Sequence, residues 1–191
     1  MVRYMNFFLL HIPSNVEIDN EKEKLFHLSI EHWFQHDLFS FNWWILFLST
    51  VIPYFIFWRV VDKKRYFEIF CYGMVCAILC MLLDIMGTEM FLWSYPDKLL
   101  PIITPLIPAN LVVIPITAML VYQYFSTWKN FLFATLCWSI LFSYIIEPLF
   151  MLRKMFVLGE NWSHTKSFIG FIVLGIFLKA VFETIKKHLS R

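Results

Sequence analysis

Charge is what this chain has least of. Asp, Glu, Lys and Arg make up 16% of its 191 residues, against about a quarter in ordinary soluble domains. The charges that exist gather between long apolar runs. A net charge of +2, with no basic block standing clear of those runs, gives no case for a nucleic-acid partner. The sequence has no Walker A loop, GxGxxG, GxSxG or HExxH. The absence of a nucleotide motif argues against primary active transport by this chain alone. Cys71, Cys76, Cys80 and Cys137 all fall inside apolar runs and form no CxxC, so they read as reduced thiols packed as small hydrophobes. His32 and His36 have a metal-compatible spacing, but no third ligand matches them. They read as a solvated face, and neither a metal nor a cofactor is expected.

What is present is hydrophobicity. Hydrophobic residues make up 60% of the chain and aromatic residues 20%, with a mean hydropathy of +0.66. This is the composition of an all-α membrane protein with the lipid bilayer as its surroundings. Five segments, at about 42–61, 66–87, 102–124, 131–152 and 167–185, are long enough to cross a hydrocarbon core of ~30 Å. The expected architecture is a five-helix transmembrane domain over 42–191, preceded by an N-terminal segment over 1–41. Aromatic residues mark the span ends: Trp43, Trp44, Trp58, Trp93, Tyr95, Tyr122, Tyr124, Trp128 and Trp162.

Within the N-terminal segment, residues 25–41 have helical period. Phe26, Ile30, Trp33, Phe34, Leu38 and Phe41 share one face, predicting an amphipathic helix on the membrane surface or over the bundle. Arg3 and the apolar run 5–12 are followed by no small-residue cleavage site, so this region reads as mature chain.

Orientation follows from the basic residues. Arg59, Lys63, Lys64 and Arg65 crowd the first connection, and Lys186, Lys187 and Arg191 the C-terminal tail. With five spans both lie on one side, which positive charge assigns to the cytoplasm. The acidic N-terminal region (Glu17, Asp19, Glu21, Glu23, Glu31, Asp37) suits the outside, while Arg153, Lys154 and Lys166 run against the scheme. The expected location is the cell membrane, N-terminus outside and C-terminus cytoplasmic.

The second span carries the most telling pattern. Gly73, Ala77, Cys80, Asp84 and Gly87 recur at three- and four-residue steps, opposite Ile78, Leu79, Leu82, Leu83 and Met86. Small residues let a second helix approach closely, which turns Asp84 into the bundle. A carboxylate at membrane depth costs several kcal/mol by insertion scales (about 2.5–3.5 at the helix centre), so one that persists has a use. At about 1.5 Å of rise per residue, Asp84, Asn110 and Glu147 fall at similar depth on three different spans, in the outer half. With Trp93 and Tyr95 beside them, they form the candidate ligand-binding set. Pro105, Pro108, Pro115 and Pro148 predict irregular backbone around it. Two carboxylates brought together would raise the apparent pKa of the pair and share a proton. Catalytic residues are not assigned. Three roles stay open: packing through Asn110, Tyr144, Arg153 or His164, a ligand or ion site, or catalysis. If Asp84 only ties helices together, Asn should serve almost as well.

Asp84-x-x-Gly87, Leu92-Trp93-x-Tyr95-Pro96, the prolines at 101, 105, 108 and 115, Tyr122-Gln123, Trp128-Lys129, Glu147-Pro148 and Trp162-Ser163-His164 occur in that order. The pattern resembles a family of small uncharacterised multi-pass membrane proteins of spore-forming Gram-positive bacteria, which implies a bacterial plasma membrane and no particular activity. A more distant resemblance is to the membrane lycopene cyclase domain, with its Asp, its Trp-x-Tyr-like segment and a proline-led polar motif. Those cyclases carry acids after that proline, whereas Pro108-Ala109-Asn110 offers Asn110 alone. The reading that results is a non-enzymatic membrane protein that binds a small polar or lipid ligand or couples to a partner. The alternative is an intramembrane lipid- or prenyl-modifying enzyme. Oligomeric state is not encoded in these patterns.

The charge asymmetry generates a direct test. In a background lacking the native cysteines, Lys64→Cys and Lys187→Cys are expected to be labelled from the same face of the membrane. Labelling from opposite faces would rule out the five-span arrangement.

Overall fold

The computed structural model describes residues 13–189, and so the Arg3 segment, the run at 5–12 and Arg191 lie outside the described residues. The first element starts at a capping box. Ser14 Oγ accepts from the Glu17 backbone N–H, and the Glu17 carboxylate accepts from the Ser14 N–H, opening α1 (Asn15–His32). A π-helical turn (Trp33–Asp37) prolongs it. This corrects the boundary expected at residue 25. The capping box sets the start, and the Glu- and Lys-rich stretch after it propagates a helix without apolar period. The helix also ends before Phe41, because Phe39 takes a left-handed conformation (φ 60°) and Ser40 caps the next element.

That element is α2 (Phe41–Val60), which holds Pro53 in its interior. Its last carbonyls meet Gln123, whose amide donates to Val60 O and accepts from Asp62 N. After the basic loop, α3 (Tyr66–Glu89) runs as unbroken α-helix. It has the expected two faces except at Leu79, which is half-buried against the core: Gly73, Cys76, Ala77, Cys80, Asp84, Gly87 and Thr88 are buried, while Ile78, Leu82, Leu83 and Met86 are exposed.

Prolines shape the next two helices. α4 (Pro108–Tyr124) opens with π-helical turns at Pro108–Val113 and continues as α-helix over Ile114–Tyr124. The expected third span is therefore shortened, because 102–106 forms turns and bends around Pro101 and Pro105, while Ile107 is already helical and Pro108 sits in the first turn, where its missing N–H has no helical partner to lose. α5 (Trp128–Leu152) is α-helical to Ile140, π-helical over Leu141–Ile146 and α-helical again from Glu147. In both helices the widened turns immediately precede a proline, Pro115 or Pro148. Ile114 N–H donates to Ala109 O and Glu147 N–H to Phe142 O, five residues back instead of four. The wide turn absorbs the ring and the missing donor. The last helix is α6 (His164–Leu189).

Of these helices, α2, α3, α5 and α6 are long and apolar enough to cross a membrane, and α4 is a shorter apolar helix. Their outward faces are strongly apolar, with Phe55, Phe67, Phe133 and Leu152 all exposed. The main core lies between α3, α4, α5 and α6, where Tyr72 and Tyr122 stack with ring centroids 4.3 Å apart and Phe182 sits edge-on to them. Tyr122 is therefore a core residue and not part of an aromatic belt. Among the cysteines, Cys76 and Cys80 are buried, Cys71 is half-buried and Cys137 is exposed, all as free thiols.

Among the described residues Lys179 is the most deeply buried charge, 1% exposed. Its ammonium donates to the carbonyls of Phe125 (3.2 Å) and Ser126 (2.7 Å) just past the end of α4, and lies 4.4 Å from the Phe131 ring centroid. It caps the negative end of α4, and its i,i+4 partner Glu183 lies 3.5 Å away.

At the opposite end of the bundle the connections form a small cap. Trp93–Ser94 (β1) pairs antiparallel with Val157–Leu158 (β2), Trp93 opposite Leu158, so the α3–α4 and α5–α6 connections are joined. Gly159 is required beside this pair, because a side chain there would collide with the Phe91 carbonyl. The start of the chain is tied on by Trp33 Nε1 to Lys98 O (3.0 Å), Trp43 Nε1 to Leu99 O (3.2 Å) and Lys98 N to the Asp37 carboxylate (3.2 Å). Burial pushes the Asp37 carboxyl above its ordinary value, against the pull of the Lys98 N–H.

Helix contact generates the next test. A side chain at Gly73 would strike Met119, whereas one at Gly170 meets nothing within 4 Å. Gly73→Leu is expected to lower stability by ~1–3 kcal/mol through overpacking, read as a lower midpoint of thermal unfolding in detergent. Gly170→Leu should leave that midpoint unchanged. Equal midpoints for the two variants would contradict the packing of α3 on α4.

Candidate functional site

Asp84 sits in the last two turns of α3, 5% exposed, and its carboxylate is enclosed by hydrogen-bond donors. After α3 the chain turns back on itself: Phe91 is left-handed (φ 55°) and Leu92 N–H returns to Gly87 O. The turn lays the Trp93 indole over Gly87, where any side chain would occupy the ring's place. Trp93 Nε1 then donates to Asp84 Oδ1 at 2.6 Å, and the Tyr95 hydroxyl donates to the same oxygen at 2.9 Å. Oδ2 accepts from the backbone N–H of Leu106 at 2.9 Å and from the Asn110 amide. Thr88 Oγ closes the turn onto the Asp84 carbonyl at 2.8 Å.

The chemistry of that set is informative. An indole N–H, a backbone N–H and an amide NH2 can only donate. Each carboxylate oxygen takes two donors, and no lysine or arginine is among the partners. A buried charge is tolerable only when its lone pairs are met, and here neutral dipoles meet them. Asn110 reaches Oδ2 from the wide π-helical stretch at the start of α4, and Leu106 N–H is free to do so because the turns before Pro108 leave it outside any helix.

Glu147 has separate partners. It follows the π-helical stretch of α5 directly, and its carboxylate lies 2.7 Å from His164 Nδ1 at the start of α6. Ser167 is a second neighbour of that carboxylate and also accepts from Trp162 Nε1 at 2.9 Å. Of the partners expected for a packing role, Asn110 and His164 are engaged with the two carboxylates. Tyr144 instead donates to Thr165, and Arg153 to Asn42. Asp84 and Glu147 each hold their own set of partners and are not hydrogen-bonded to each other, so the expected sharing of a proton is not seen.

Asp84, Asn110, Glu147, Trp93 and Tyr95 all line one cavity of about 650 Å³. The rest of its wall is almost wholly apolar, including Leu46 of α2, Ile114 of α4, Phe142 and Phe150 of α5, and Phe171 and Leu174 of α6. The cavity is open where α3 and α6 line it: Leu83, Met86 and Met90 of α3 are more than half exposed, and a side chain at Gly170 of α6 would meet nothing within 4 Å. The volume lies within the ~300–1,000 Å³ range of small-molecule sites. His32 and His36 lie elsewhere, with ring centroids 4.9 Å apart and His32 3.4 Å from Asp37. Glu89 is exposed, as its place on the helix wheel implies.

The Leu106 N–H, Ser167 and Phe156 escape a reading of the sequence. A backbone donor carries no residue signature, and β1 and β2 are two residues each, too short for a periodic pattern. The cluster of Pro101, Pro105 and Pro108 was the available signal for a free N–H.

The donor inventory also corrects the expectation that Asn would replace Asp84 almost freely. Asn offers one oxygen and turns an NH2 toward two of the four partners, so at least one hydrogen bond is lost and one obligate donor faces the NH2, even if the Tyr95 hydroxyl turns to accept. Asp84→Asn is expected to cost ~1–3 kcal/mol even in a purely structural role, and Asp84→Ala more. Thermal unfolding in detergent measures both. An Asp84→Asn midpoint equal to wild type would contradict the four-donor arrangement.

No known protein family, curated protein or solved structure matches the chain, so its function is argued from this site.

Proposed function

We propose that the chain is an integral membrane protein that holds an amphiphilic ligand, a lipid or lipid-like molecule, in the cavity beside Asp84 and Glu147. The observation that carries this reading is the form of the cavity. It has about 650 Å³ of mostly apolar wall, polar groups from α3, α4 and α5, and an opening between the exposed Leu83, Met86 and Gly170. A ligand entering there would come from the hydrocarbon phase, because α3 and α6 both have the length and hydropathy of spanning helices. Its tail would lie against Phe142, Phe171 and Leu174, and its polar end near Glu147, Tyr95 and Trp162. Asp84 shapes the wall: its oxygens are taken by Trp93, Tyr95, Leu106 and Asn110. With the basic loop and tail cytoplasmic, the opening belongs to the outer leaflet of a bacterial plasma membrane, and α1 lies at the outer surface.

A second reading is favoured by one observation, the Glu147–His164 pair at 2.7 Å. Such a pair could pass a proton to or from a bound prenyl or other lipid chain, which is the enzymatic alternative. Asp84 has no part in that chemistry, since three of its four partners can only donate.

Mass spectrometry of lipid extracted from purified protein tests the binding reading. Wild type is expected to retain a stoichiometric amphiphile, and Gly170→Trp, which fills the opening, should reduce it about tenfold while still purifying as a folded protein with a cooperative unfolding transition. Equal retention by both would refute the lateral cavity as the binding place. Recovery of the ligand in a chemically altered form from wild type but not from Glu147→Gln would favour the enzyme.

A further inference from the structure

We infer that the headgroup this cavity selects is an amine that donates hydrogen bonds, and that anionic headgroups are rejected; the inference rests on the lipid-binding reading above. The charge of the wall carries it. Asp84 and Glu147 line the cavity, and among the described residues no lysine or arginine lines it. The partners of Asp84 are an indole, a phenol, a backbone amide and a carboxamide, all of them neutral. They satisfy its lone pairs and leave its negative charge without a counter-cation. The basic group facing Glu147 is His164, 2.7 Å away on α6, and it stands behind the wall, outside the lining residues. Even a protonated His164 balances one of the two carboxylates.

A phosphate or carboxylate entering this space would meet like charge in a low-dielectric setting, where Coulomb energies are several-fold larger than in water. An ammonium would meet attraction, and an alcohol neither. The aromatic groups point the same way. Trp93 and Trp162, with ring centroids 4.9 Å apart, and Tyr95 and Phe156, 5.5 Å apart, all line the cavity. Faces of such rings attract ammonium groups and have no matching attraction for anions. A site built for phospholipid phosphate would carry Arg or Lys, because those side chains pair with phosphate oxygens.

Three probes with one chain length separate the possibilities: dodecylamine, dodecanol and dodecyl phosphate. Each is titrated against the full-length protein in phosphatidylcholine nanodiscs, with empty nanodiscs subtracted and the midpoint of thermal unfolding as readout. The apparent affinity is expected to fall in the order amine, alcohol, phosphate, with at least about tenfold between the first and the last. Glu147→Gln should shrink the amine-over-phosphate ratio at least about threefold. Should that variant fail to fold, the wild-type order decides alone. Dodecyl phosphate binding as tightly as dodecylamine would overturn the headgroup inference while leaving the cavity reading intact. No saturable binding of any probe, or equal binding by Gly170→Trp, would overturn both.

Discussion

The structure depends on one buried carboxylate that is solvated by the protein instead of by water. Asp84 is nearly inaccessible, yet both of its oxygens are filled by neutral donors from the α3–α4 connection and the start of α4. Much of the surrounding architecture exists to deliver those donors. Gly87 leaves room for the Trp93 ring, the left-handed Phe91 reverses the chain, and the β1–β2 pair fixes the returning strand against the opposite connection. The irregular stretch around Pro101 and Pro105 leaves the Leu106 N–H available just before the helix, and the wide turns from Pro108 carry Asn110. Remove the charge and these donors lose their common acceptor, at a cost that exceeds the usual worth of a single interhelical hydrogen bond in a membrane, about 0.6 kcal/mol.

The cavity is the other side of the same arrangement. Folding the Trp93 connection inward and widening α4 and α5 at their prolines keeps α3, α5 and α6 from closing on each other at this end. At the far end the bundle is dense. Tyr72 and Tyr122 stack with Phe182 edge-on to them, Lys179 caps α4, and Glu68 gathers Arg65, Tyr122 and Lys186. One end therefore supplies stability and the other supplies space. That division is the physical ground for placing function beside Asp84 and Glu147.

Much of this was legible in the sequence, for definite reasons. The small-residue stripe on α3 has strict helical spacing, so it fixed both the buried face and the inward direction of Asp84. Asn110 and Glu147 followed from depth alone, because helical rise is constant and polar residues are rare in these segments. The start of α1 just after the Ser14 cap leaves little trace in the sequence, because a capping box acts locally, without the apolar period that marks residues 25–41. Tyr122 was misassigned because a tyrosine near a helix end looks the same in sequence whether it faces headgroups or stacks on Tyr72. The β1–β2 pair and the Leu106 donor were invisible, since both are backbone interactions set by tertiary contact.

A structure determined in lipid nanodiscs tests the central claim most directly. It should contain elongated density between α3 and α6, passing Met86 and Gly170 and ending near Glu147, with Asp84 still held by Trp93, Tyr95, Leu106 and Asn110. A cavity closed by contact between α3 and α6, or an Asp84 side chain turned out to lipid, would contradict it.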